Sequence, residues 1–539
     1  MSRIRNPSEP PDRRGPLILV ADPLAEDGVA RLRQAAEVEV RIKQSEDQLV
    51  ELVPDYDALV VRSETKVTAR VLDAARNLKV VGRAGVGIDN IDVGAATRHG
   101  ILVVNAPRGN IIAAAEHTIG LLFASARWIP QADASVKRGE WTRSRFTGAE
   151  VRAKTLGLIG LGNIGSEVAK RAQGLEMEVI AYDPAVPAER AEQFNVELVG
   201  LEDLLRRADF VSVHAPLIDA TRNLLDAERL ALLKPSARLI NAARGGIVDE
   251  PALYEALSAG RLAAAAFDVF EKEPIDPENP LLSLPNFIAT PHVAASTVEA
   301  QASVAFDVAE EVLAVLNGEL PRYAVNAPSL PPEELAFLRP FADLAERLAW
   351  IHLQLHGERV AGVELEFAGE LAEHDLSLVT AWAIRGLVQP FTEERINAVN
   401  ARLVAANRAI RLTEHRDPRS LGYPSSLVLK VDGEELEGTV LLGEPRVTRI
   451  GGFRVDFVPE GKFLVSRHED RPGVVGRIGT ILGENDINIA SMQVGRDAPR
   501  GHAMMILAVD DAVGEPVLEK LRQAPGVGEL RYVELGGAS

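Results

Sequence analysis

The chain has 539 residues, of which 46% are apolar, so it is long enough for three or four packed domains at about 150 residues each. Its formal net charge of −19 argues against nucleic acid as a main partner, because a protein that binds a phosphate backbone needs a basic face. It contains no cysteine, which excludes disulfides, a thiolate nucleophile and cysteine-based metal sites.

The first residues carry no targeting or membrane segment that we recognise. Residues 1–16 are rich in Pro, Arg and Ser and lack the apolar core of a signal peptide, so we predict a disordered tail. No apolar run reaches the roughly 18 residues that a membrane span needs. We therefore expect a cytoplasmic protein, and we predict no metal site.

Strands and helices alternate after this tail, which predicts a parallel α/β sheet. The predicted strands are 17–21, 38–42, 58–62 and 80–82, and two of the helices are 26–36 and 69–75. A long apolar helix, 113–128, then leads into a second unit. Because that helix shows no clear polar face, we expect it to contribute to a dimer or tetramer interface; the alternative is burial between two lobes of one subunit.

The most informative stretch is an apolar run that leads into Gly160, Gly162 and Gly165, which have the G-x-G-x-x-G spacing. A helical pattern follows, and then an apolar strand that ends on Asp183, 18 residues after Gly165. In this pattern the first glycine allows a tight turn, the second lets the backbone approach a pyrophosphate, and the third lets helix and strand pack closely. Asp183 can accept hydrogen bonds from ribose hydroxyls. We predict a Rossmann domain that binds NAD rather than NADP.

The second unit continues with predicted strands at 210–214, 238–241, 264–269 and 287–290. A helix over 297–316 is expected to return to the first unit, and Pro328, Pro331 and Pro332 mark a boundary. Residues 333–459 read as a third unit with helices near 335–355, 376–391 and 394–410 and several strands.

From Lys462 the pattern is β-α-β-β-α-β, with strands at 463–467, 487–494, 502–509 and 529–533 and helices at 474–482 and 515–522. The predicted fold class is therefore α/β. It consists of two Rossmann-like, doubly wound parallel-sheet domains, one inserted in the other, followed by an α+β domain and a small βαββαβ domain.

Three polar residues follow strands of the second unit, where ligands of open α/β sheets bind. They are Arg244, Glu273 and His292. Hydride transfer to a ketone needs a proton donor, which a histidine backed by a carboxylate can supply, and a cation that holds a substrate carboxylate. Residue types alone leave the alternative open that each is an ordinary surface or loop residue.

Several sequence motifs resemble those of a known enzyme family. The strings 160–165, 241–246 (Asn-Ala-Ala-Arg-Gly-Gly), 267–274 (Phe-Asp-Val-Phe-Glu-Lys-Glu-Pro) and 290–292 (Thr-Pro-His) resemble the D-isomer-specific 2-hydroxyacid dehydrogenase family. Residues 83–90 resemble its substrate loop. The C-terminal extension resembles that of long-form members that oxidise D-3-phosphoglycerate at the first step of L-serine biosynthesis, which carry an intervening and a terminal ACT domain.

The resemblance implies a role for each matching residue. Arg244 would bind the substrate carboxylate and keto oxygen, His292 would be the acid/base, and Glu273 would pair with His292. The implied cofactor-binding positions are Gly160, Gly162, Asn163, Ile164, Gly165, Asp183, His214, Ala215, Pro216, Ala242 and Asp268, with Asp268 on the nicotinamide carboxamide. The implied substrate-binding positions are Arg62, Ser63, Arg83, Gly85, Val86, Gly87 and Asn110, with Trp141 and Arg143 reaching into a neighbouring subunit.

The resemblance also implies domain limits: a substrate-binding domain (17–107 and 297–329), an NAD-binding domain (108–296), an intervening regulatory domain (330–459) and an ACT domain (460–535). We expect L-serine as an effector of the ACT domain. Asp470 precedes Pro472-Gly473 at a helix start and can hold a ligand ammonium, and Asn488 follows that helix. His468 would add a polar contact.

Three other interpretations are possible. A general glyoxylate or hydroxypyruvate reductase would share the catalytic residues, but Arg62, Arg83 and the ACT pattern argue against it. An NAD-sensing, corepressor-like binding protein would share the fold. A regulatory ACT protein with an inactive dehydrogenase is contradicted by the complete set of Arg244, Glu273 and His292.

Overall fold

The computed structural model describes residues 15–327, 330–392, 394–420 and 422–535. Residues 1–14 of the predicted tail and Pro328 of the predicted boundary lie outside this part of the chain. Among the described helices, none combines the length and the apolar character that a membrane crossing needs.

The first sheet has five parallel strands. They are β1 (Leu17–Val20), β2 (Glu37–Val40), β3 (Ala58–Val61), β4 (Val80–Arg83) and β5 (Leu102–Asn105), in the order β2-β1-β3-β4-β5. The helices between them are α1 (Glu26–Arg33), α2 (Glu46–Leu52), α3 (Ala69–Ala74) and α4 (Val93–Arg98). All residues of β3 are buried, as expected for a parallel sheet covered on both faces.

The helix predicted at 113–128 is α5 (Ile111–Arg127), which ends where Trp128 adopts a left-handed conformation with φ 56°. A further helix, α6 (Ile129–Lys137), follows at once and was not predicted. Ala115, Leu122 and Ala126 of α5 lie in the core of the second unit. Burial within one chain therefore accounts for the apolar face of α5, and α5 by itself does not indicate an oligomer.

The second sheet has seven parallel strands. They are β6 (Thr155–Ile159), β7 (Glu178–Tyr182), β8 (Glu197–Leu198), β9 (Phe210–Val213), β10 (Arg238–Asn241), β11 (Ala264–Phe267) and β12 (Phe287–Ala289), in the order β12-β11-β10-β9-β6-β7-β8. Its further helices are α7 (Asn163–Gly174), α8 (Ala188–Gln193), α9 (Leu201–Arg207), α10 (Ala227–Leu230) and α11 (Glu250–Ser258). The predicted α/β class with two parallel sheets is confirmed.

The chain then returns to the first sheet through α12 (Val298–Leu316), whose N-terminus is capped by the Thr297 side chain. Helix α12 packs on α1 and β4. The contact is close: a Cβ on Gly82 of β4 would lie 2.6 Å from the Val312 side chain. Beyond α12, the Val325 N–H donates to the Val103 carbonyl at 2.7 Å, so this segment extends the edge at β5.

The third unit is a six-stranded sheet covered by helices. Its elements are α13 (Pro332–His356), β13 (Gly362–Gly369), α14 (Ser377–Val388), α15 (Ala401–Asn407), β14 (Arg411–Asp417), β15 (Ser425–Val431), β16 (Glu434–Leu441), β17 (Glu444–Ile450) and β18 (Phe453–Phe457). The strand order is β14-β13-β15-β16-β17-β18, and only the β13–β14 pair is parallel. Helix α15 is shorter than the predicted 394–410.

The last unit has the predicted β-α-β-β-α-β order. Its elements are β19 (Gly461–Glu469), α16 (Val474–Glu484), β20 (Ile489–Arg496), β21 (His502–Val509), α17 (Glu515–Arg522) and β22 (Val527–Leu535). The sheet order is β20-β21-β19-β22. Leu464 and Met505 on one face pack under α16 and α17. Val465 and Met504 on the other face join the core that contains α13, so the third and fourth units share one hydrophobic core.

The third unit also forms hydrogen bonds with the first sheet. The Arg395 guanidinium donates to the Leu78 carbonyl at 3.1 Å, and the Asn397 amide donates to the Gly100 carbonyl at 2.7 Å. These carbonyls lie just before β4 and β5. The third unit is therefore anchored at the starts of β4 and β5, and the opposite ends of these strands face the second sheet.

The shared core predicts unequal effects for two methionines of the last sheet. Met504 is 5% exposed beneath α13, whereas Met492 is 45% exposed on β20. We expect Met504→Ala to lower the free energy of unfolding by about 2–5 kcal/mol through lost burial and a cavity. The matched control, Met492→Ala, should change it by about 0.5 kcal/mol or less. Chemical denaturation of the full chain measures both, and equal effects would contradict the shared core.

Candidate active site

A cleft of about 930 Å³ lies between the carboxyl ends of the two parallel sheets. Ten predicted residues line it: Arg62, Ser63, Arg83, Gly85, Val86, Gly87, Asn110, Arg244, Glu273 and His292. Sequence reasoning missed others, namely Lys66, Asp89, Phe270, Ser296 and Gln301. Lys66 could have been found, because it belongs to the same loop as Arg62 and Ser63.

His292 and Glu273 form a hydrogen-bonded pair, with 2.7 Å between Nδ1 and Oε2. The other oxygen of Glu273 accepts from the Phe270 N–H at 3.0 Å. Burial raises the pKa of the Glu273 carboxyl, but the hydrogen bonds from His292 and Phe270 outweigh burial and leave that pKa below its usual value. Glu273 is therefore charged at neutral pH and occupies Nδ1, which leaves the Nε2 of His292 free to exchange a proton.

The loop that carries His292 is held by Asp268, which follows β11 and has no exposed surface. Its carboxylate accepts from the Thr290 hydroxyl at 2.5 Å, from the Val293 N–H at 2.9 Å and from the Ala294 N–H at 2.8 Å. The Asp268 carbonyl also accepts from the His292 N–H at 2.9 Å. These contacts fix the backbone of His292, whose φ is +54°.

This environment gives Asp268 a second role beside the predicted one. We expected its side chain on a nicotinamide carboxamide, which stays a prediction, and in the structure both of its oxygens also support the loop. Burial raises the pKa of Asp268, and the hydrogen bonds that it accepts lower that pKa below its usual value. In this structure Asp268 is a buried anion that shapes the site from beneath.

Arg244 projects from the turn after β10. Its Nη1 donates to the Ala243 carbonyl at 2.7 Å, and its Nε lies 3.5 Å from a carboxylate oxygen of Asp89. The turn is organised by the buried Asn241, whose side-chain amide donates to the Arg244 carbonyl at 2.9 Å. A Cβ on Gly87 would lie 2.3 Å from the guanidinium of Arg244, so a larger residue would displace this guanidinium from its present position.

Arg83 is a strongly desolvated cation of the cleft. Burial lowers the pKa of Arg83 to about 10, and the neighbouring Arg244 contributes to the decrease. Its buried Nε has no hydrogen-bond partner within the described residues. Such a group is stabilised by an anion, so the cleft is suited to a negatively charged ligand.

Arg62 approaches the same cleft on a loop that is held from below. The buried Asp22 carboxylate accepts from the Arg62 N–H at 2.6 Å and from the Thr65 hydroxyl at 2.6 Å. The Asn90 amide donates to the Arg62 carbonyl at 2.7 Å. These hydrogen bonds place Ser63 and Lys66 at the rim together with Arg62.

The glycine fingerprint has the geometry that a dinucleotide needs. Gly160 has φ +101°, and a Cβ on Gly165 would lie 2.3 Å from the Gly160 carbonyl oxygen. A Cβ on Gly162 would meet no atom, so the space above it is open for a pyrophosphate. Asn163 and Ile164 begin α7, which directs its N-terminus at that space.

Asp183 ends β7 next to the fingerprint. Its oxygens accept from the Leu161 N–H at 2.8 Å and the Ala185 N–H at 2.9 Å, and each keeps a lone pair for a ribose hydroxyl.

The remaining predicted cofactor residues lie at the ends of the adjacent strands. Ala215 and Pro216 follow β9, and Ala242 follows β10. Burial lowers the pKa of His214 to about 4, so this side chain is neutral beside the Ser212 hydroxyl, 2.9 Å away. The residues present therefore fit NAD.

Trp141 and Arg143 lie outside the cleft of their own chain. Trp141 is 73% exposed, and its ring contacts only the Arg143 guanidinium among the ring contacts of the described residues. Within one chain neither residue can contact the substrate.

The three predicted effector residues do not meet within one chain. Asp470 follows β19 at the end of the sheet where Arg500 donates its N–H to the carboxylate at 3.0 Å. Asn488 precedes β20 at the opposite end, where its amide donates to Asp510 at 2.5 Å. His468 is buried in the sheet. A single copy keeps Asp470 and Asn488 apart, because α16 carries the chain back along the full length of the sheet.

Three family profiles match the chain. The profile described as D-isomer specific 2-hydroxyacid dehydrogenase, NAD binding domain, matches residues 119–294. The profile of the D-3-phosphoglycerate dehydrogenase intervening domain matches residues 337–451, and the ACT domain profile matches residues 463–526.

The whole chain also has relatives. It is 48% identical to a D-3-phosphoglycerate dehydrogenase of Archaeoglobus fulgidus over 96% of this chain and 100% of that protein. It is 42% identical to the enzyme of the same name from Bacillus subtilis over 96% of this chain and 99% of that protein. The D-lactate dehydrogenase of Aquifex aeolicus, solved with NAD and lactic acid, covers 58% of this chain and 100% of its own length at 27% identity, with a TM-score of 0.53.

The position of Asp183 predicts cofactor choice. Its charge would repel the 2′-phosphate of NADPH, so we expect NADH to bind at least about 10-fold more tightly than NADPH, which corresponds to about 1.4 kcal/mol. Asp183→Asn keeps an acceptor for the Leu161 N–H but removes the charge, and should narrow this difference. Fluorescence titration of the unmodified protein and of Asp183→Asn with NADH and with NADPH measures these affinities. Equal affinities for the two cofactors in the unmodified protein would contradict the prediction.

Proposed function

The chain belongs to the D-isomer-specific 2-hydroxyacid dehydrogenase family, alongside the D-3-phosphoglycerate dehydrogenases, and we propose that it oxidises D-3-phosphoglycerate to 3-phosphohydroxypyruvate with NAD, the first step of L-serine biosynthesis. The observation that carries this proposal is the joint presence of the His292–Glu273 pair and three converging guanidiniums in one cleft. A substrate with both a carboxylate and a phosphate matches that charge.

The residues divide the chemistry between them. Arg244 binds the carboxylate and the C2 oxygen through its planar fork, and so orients the reacting carbon. His292 accepts the proton of the C2 hydroxyl at Nε2 while Glu273 stabilises the resulting imidazolium. Bound NAD supplies the acceptor for the hydride of C2. The buried Asp268 keeps the histidine loop in place throughout.

Two other readings are less well supported. A glyoxylate or hydroxypyruvate reductase would need only the dehydrogenase domains, whereas the relatives named above match across the intervening and ACT domains as well. A corepressor-like binding protein would not need a histidine whose Nδ1 is paired with a carboxylate in the substrate cleft.

The direct test is NADH formation from NAD and D-3-phosphoglycerate, beside D-glycerate and D-lactate. We expect D-3-phosphoglycerate to be strongly preferred. His292→Ala should lower turnover about 10²–10⁴-fold, the usual contribution of a positioned acid/base. Absence of activity with D-3-phosphoglycerate, together with activity on another 2-hydroxy acid, would overturn the substrate assignment.

The arginines at the cleft should recognise the phosphate. We expect Arg83→Ala and Arg62→Ala to raise KM about 10-fold or more for D-3-phosphoglycerate, because each removes a charged hydrogen bond of about 1.5–3 kcal/mol. The KM for D-glycerate, which lacks the phosphate, should change far less. Equal losses on both substrates would show that these arginines have a structural role instead.

Glu273 should support the oxidation as an anion. Its carboxylate accepts a hydrogen bond from His292 Nδ1 and can stabilise the positive charge that the ring gains when Nε2 takes a proton. Glu273→Gln removes the negative charge and should lower kcat about 10-fold or more. A kcat within about twofold of that of the unmodified enzyme, measured with saturating substrate, would count against the pair.

We further propose that the protein is at least a homodimer and that L-serine binds between ACT domains of two copies. Apolar side chains around α6 support the first part, because Ile129, Val136 and Trp141 are more than half exposed in one chain. A second copy, related by a twofold axis across the strands, would bring Asp470 of one copy near Asn488 of the other. Serine would then inhibit by binding one arrangement better than another.

Serine binding is best tested on the full chain, because an isolated ACT domain would expose the face that packs on α13. We expect L-serine to inhibit at up to about millimolar concentration, where the binding free energy is about −4 kcal/mol. Asp470→Ala with Asn488→Ala should abolish inhibition without changing turnover in its absence. Inhibition by L-serine that persists in the double variant would contradict the proposed serine site. A monomeric protein in light scattering would contradict the proposed interface.

A further inference from the structure

We propose that His117 is a positioning residue, which fixes the loop of the catalytic His292 from helix α5. This inference rests on the proposed function, since it concerns how the acid/base of that reaction is held. His117 does not line the cleft. Its position therefore separates its action from direct contact with the substrate.

One ring nitrogen of His117 lies close to Thr290 and Asp268, the two residues that hold the loop of His292. Its Nε2 lies 3.2 Å from the Thr290 hydroxyl oxygen and 3.4 Å from an oxygen of Asp268. The side chain is 24% exposed, whereas Asp268 is fully buried. His117 is therefore partly exposed to solvent, and its ring contacts the fully buried Asp268 carboxylate.

The hydrogen bonds around Thr290 determine the direction of this contact. The Thr290 hydroxyl has one proton, and it donates that proton to Asp268 at 2.5 Å. Its oxygen can then only accept from His117, and the carboxylate of Asp268 is also only an acceptor. Both neighbours therefore require Nε2 of His117 to carry a proton.

This contact links two parts of the site that are distant in the sequence. Helix α5 begins directly after Asn110, which lines the substrate cleft. The loop of Thr290 and His292 follows β12 in the other sheet. His117 joins them with a hydrogen bond to Thr290, two residues before the catalytic histidine. The helix that leaves the substrate cleft therefore helps to set where the imidazole of His292 stands.

The test uses three substitutions at this one position. Gln places an amide nitrogen near the position of the histidine Nε2, Asn places one near Nδ1, and Phe keeps the ring shape without a donor. We expect His117→Phe and His117→Asn to lower kcat about 10–100-fold, because small displacements of a catalytic group are costly. His117→Gln should restore kcat to within about threefold of the unmodified enzyme.

The readouts separate positioning from other roles. KM for NAD and for D-3-phosphoglycerate should change less than about threefold in all three variants, since ground-state binding does not depend on His292 placement. His99→Phe, at a histidine paired with Asp73 on the surface of the first domain, serves as a control that should retain full turnover. Melting temperatures report folding, and the Gln and Asn variants decide the matter if the Phe variant does not fold.

Each outcome has one meaning. If the unmodified protein forms no NADH from any 2-hydroxy acid, the proposed function fails. If it is active and both His117→Phe and His117→Asn retain normal kcat, the inference is overturned. It is also overturned if Gln is as impaired as Asn, or if the loss lies in KM rather than in kcat. Rescue by Gln alone, with KM unchanged, supports it.

Discussion

A buried carboxylate connects the loop of His292 with the turn of Arg244. Asp268 has no exposed surface, yet it remains charged because a hydroxyl and two backbone N–H groups donate to it. Its own N–H donates to the Asn241 carbonyl at 2.9 Å, and Asn241 in turn organises the turn of Arg244. His292 and Arg244 are thus positioned by one connected network of hydrogen bonds. Leaving any of these buried groups unpaired would cost about 1–3 kcal/mol, so the network favours a single arrangement.

The charge of the cleft contrasts with that of the whole chain. The protein carries a net charge of −19, but three guanidiniums converge where the two sheets face each other. Asp89 lies near Arg244, and Asp22 is already engaged by its own loop. An anionic substrate therefore meets a repulsive surface and an attractive cleft, which confines favourable binding to the place where the chemistry occurs.

The parts of this site that the sequence predicted are those in which local spacing determines geometry. Gly160 and Gly165 have the turn and packing roles expected from the fingerprint, because these depend on a few neighbouring residues. The enclosure of Asp268 could not be predicted, because the loop that covers its carboxylate lies more than twenty residues later in the sequence. Asp470 and Asn488 flank the same helix in sequence, and only the direction of that helix shows that they lie at opposite ends of the sheet. For α6, Pro130 in its first turn was an available signal.

The return of α12 to the first sheet has a consequence for the order of events during synthesis. Chains fold from the N-terminus as they are made, but the first sheet is covered by residues that follow the whole second sheet. Until Val308 and Val312 emerge, the face of β4 around Gly82 stays open to water. The first sheet therefore leaves the ribosome before the second sheet but is completed only after it. An inserted NAD-binding domain that folds early brings the two separated parts of the first domain close together, and so reduces the entropy that their pairing must overcome.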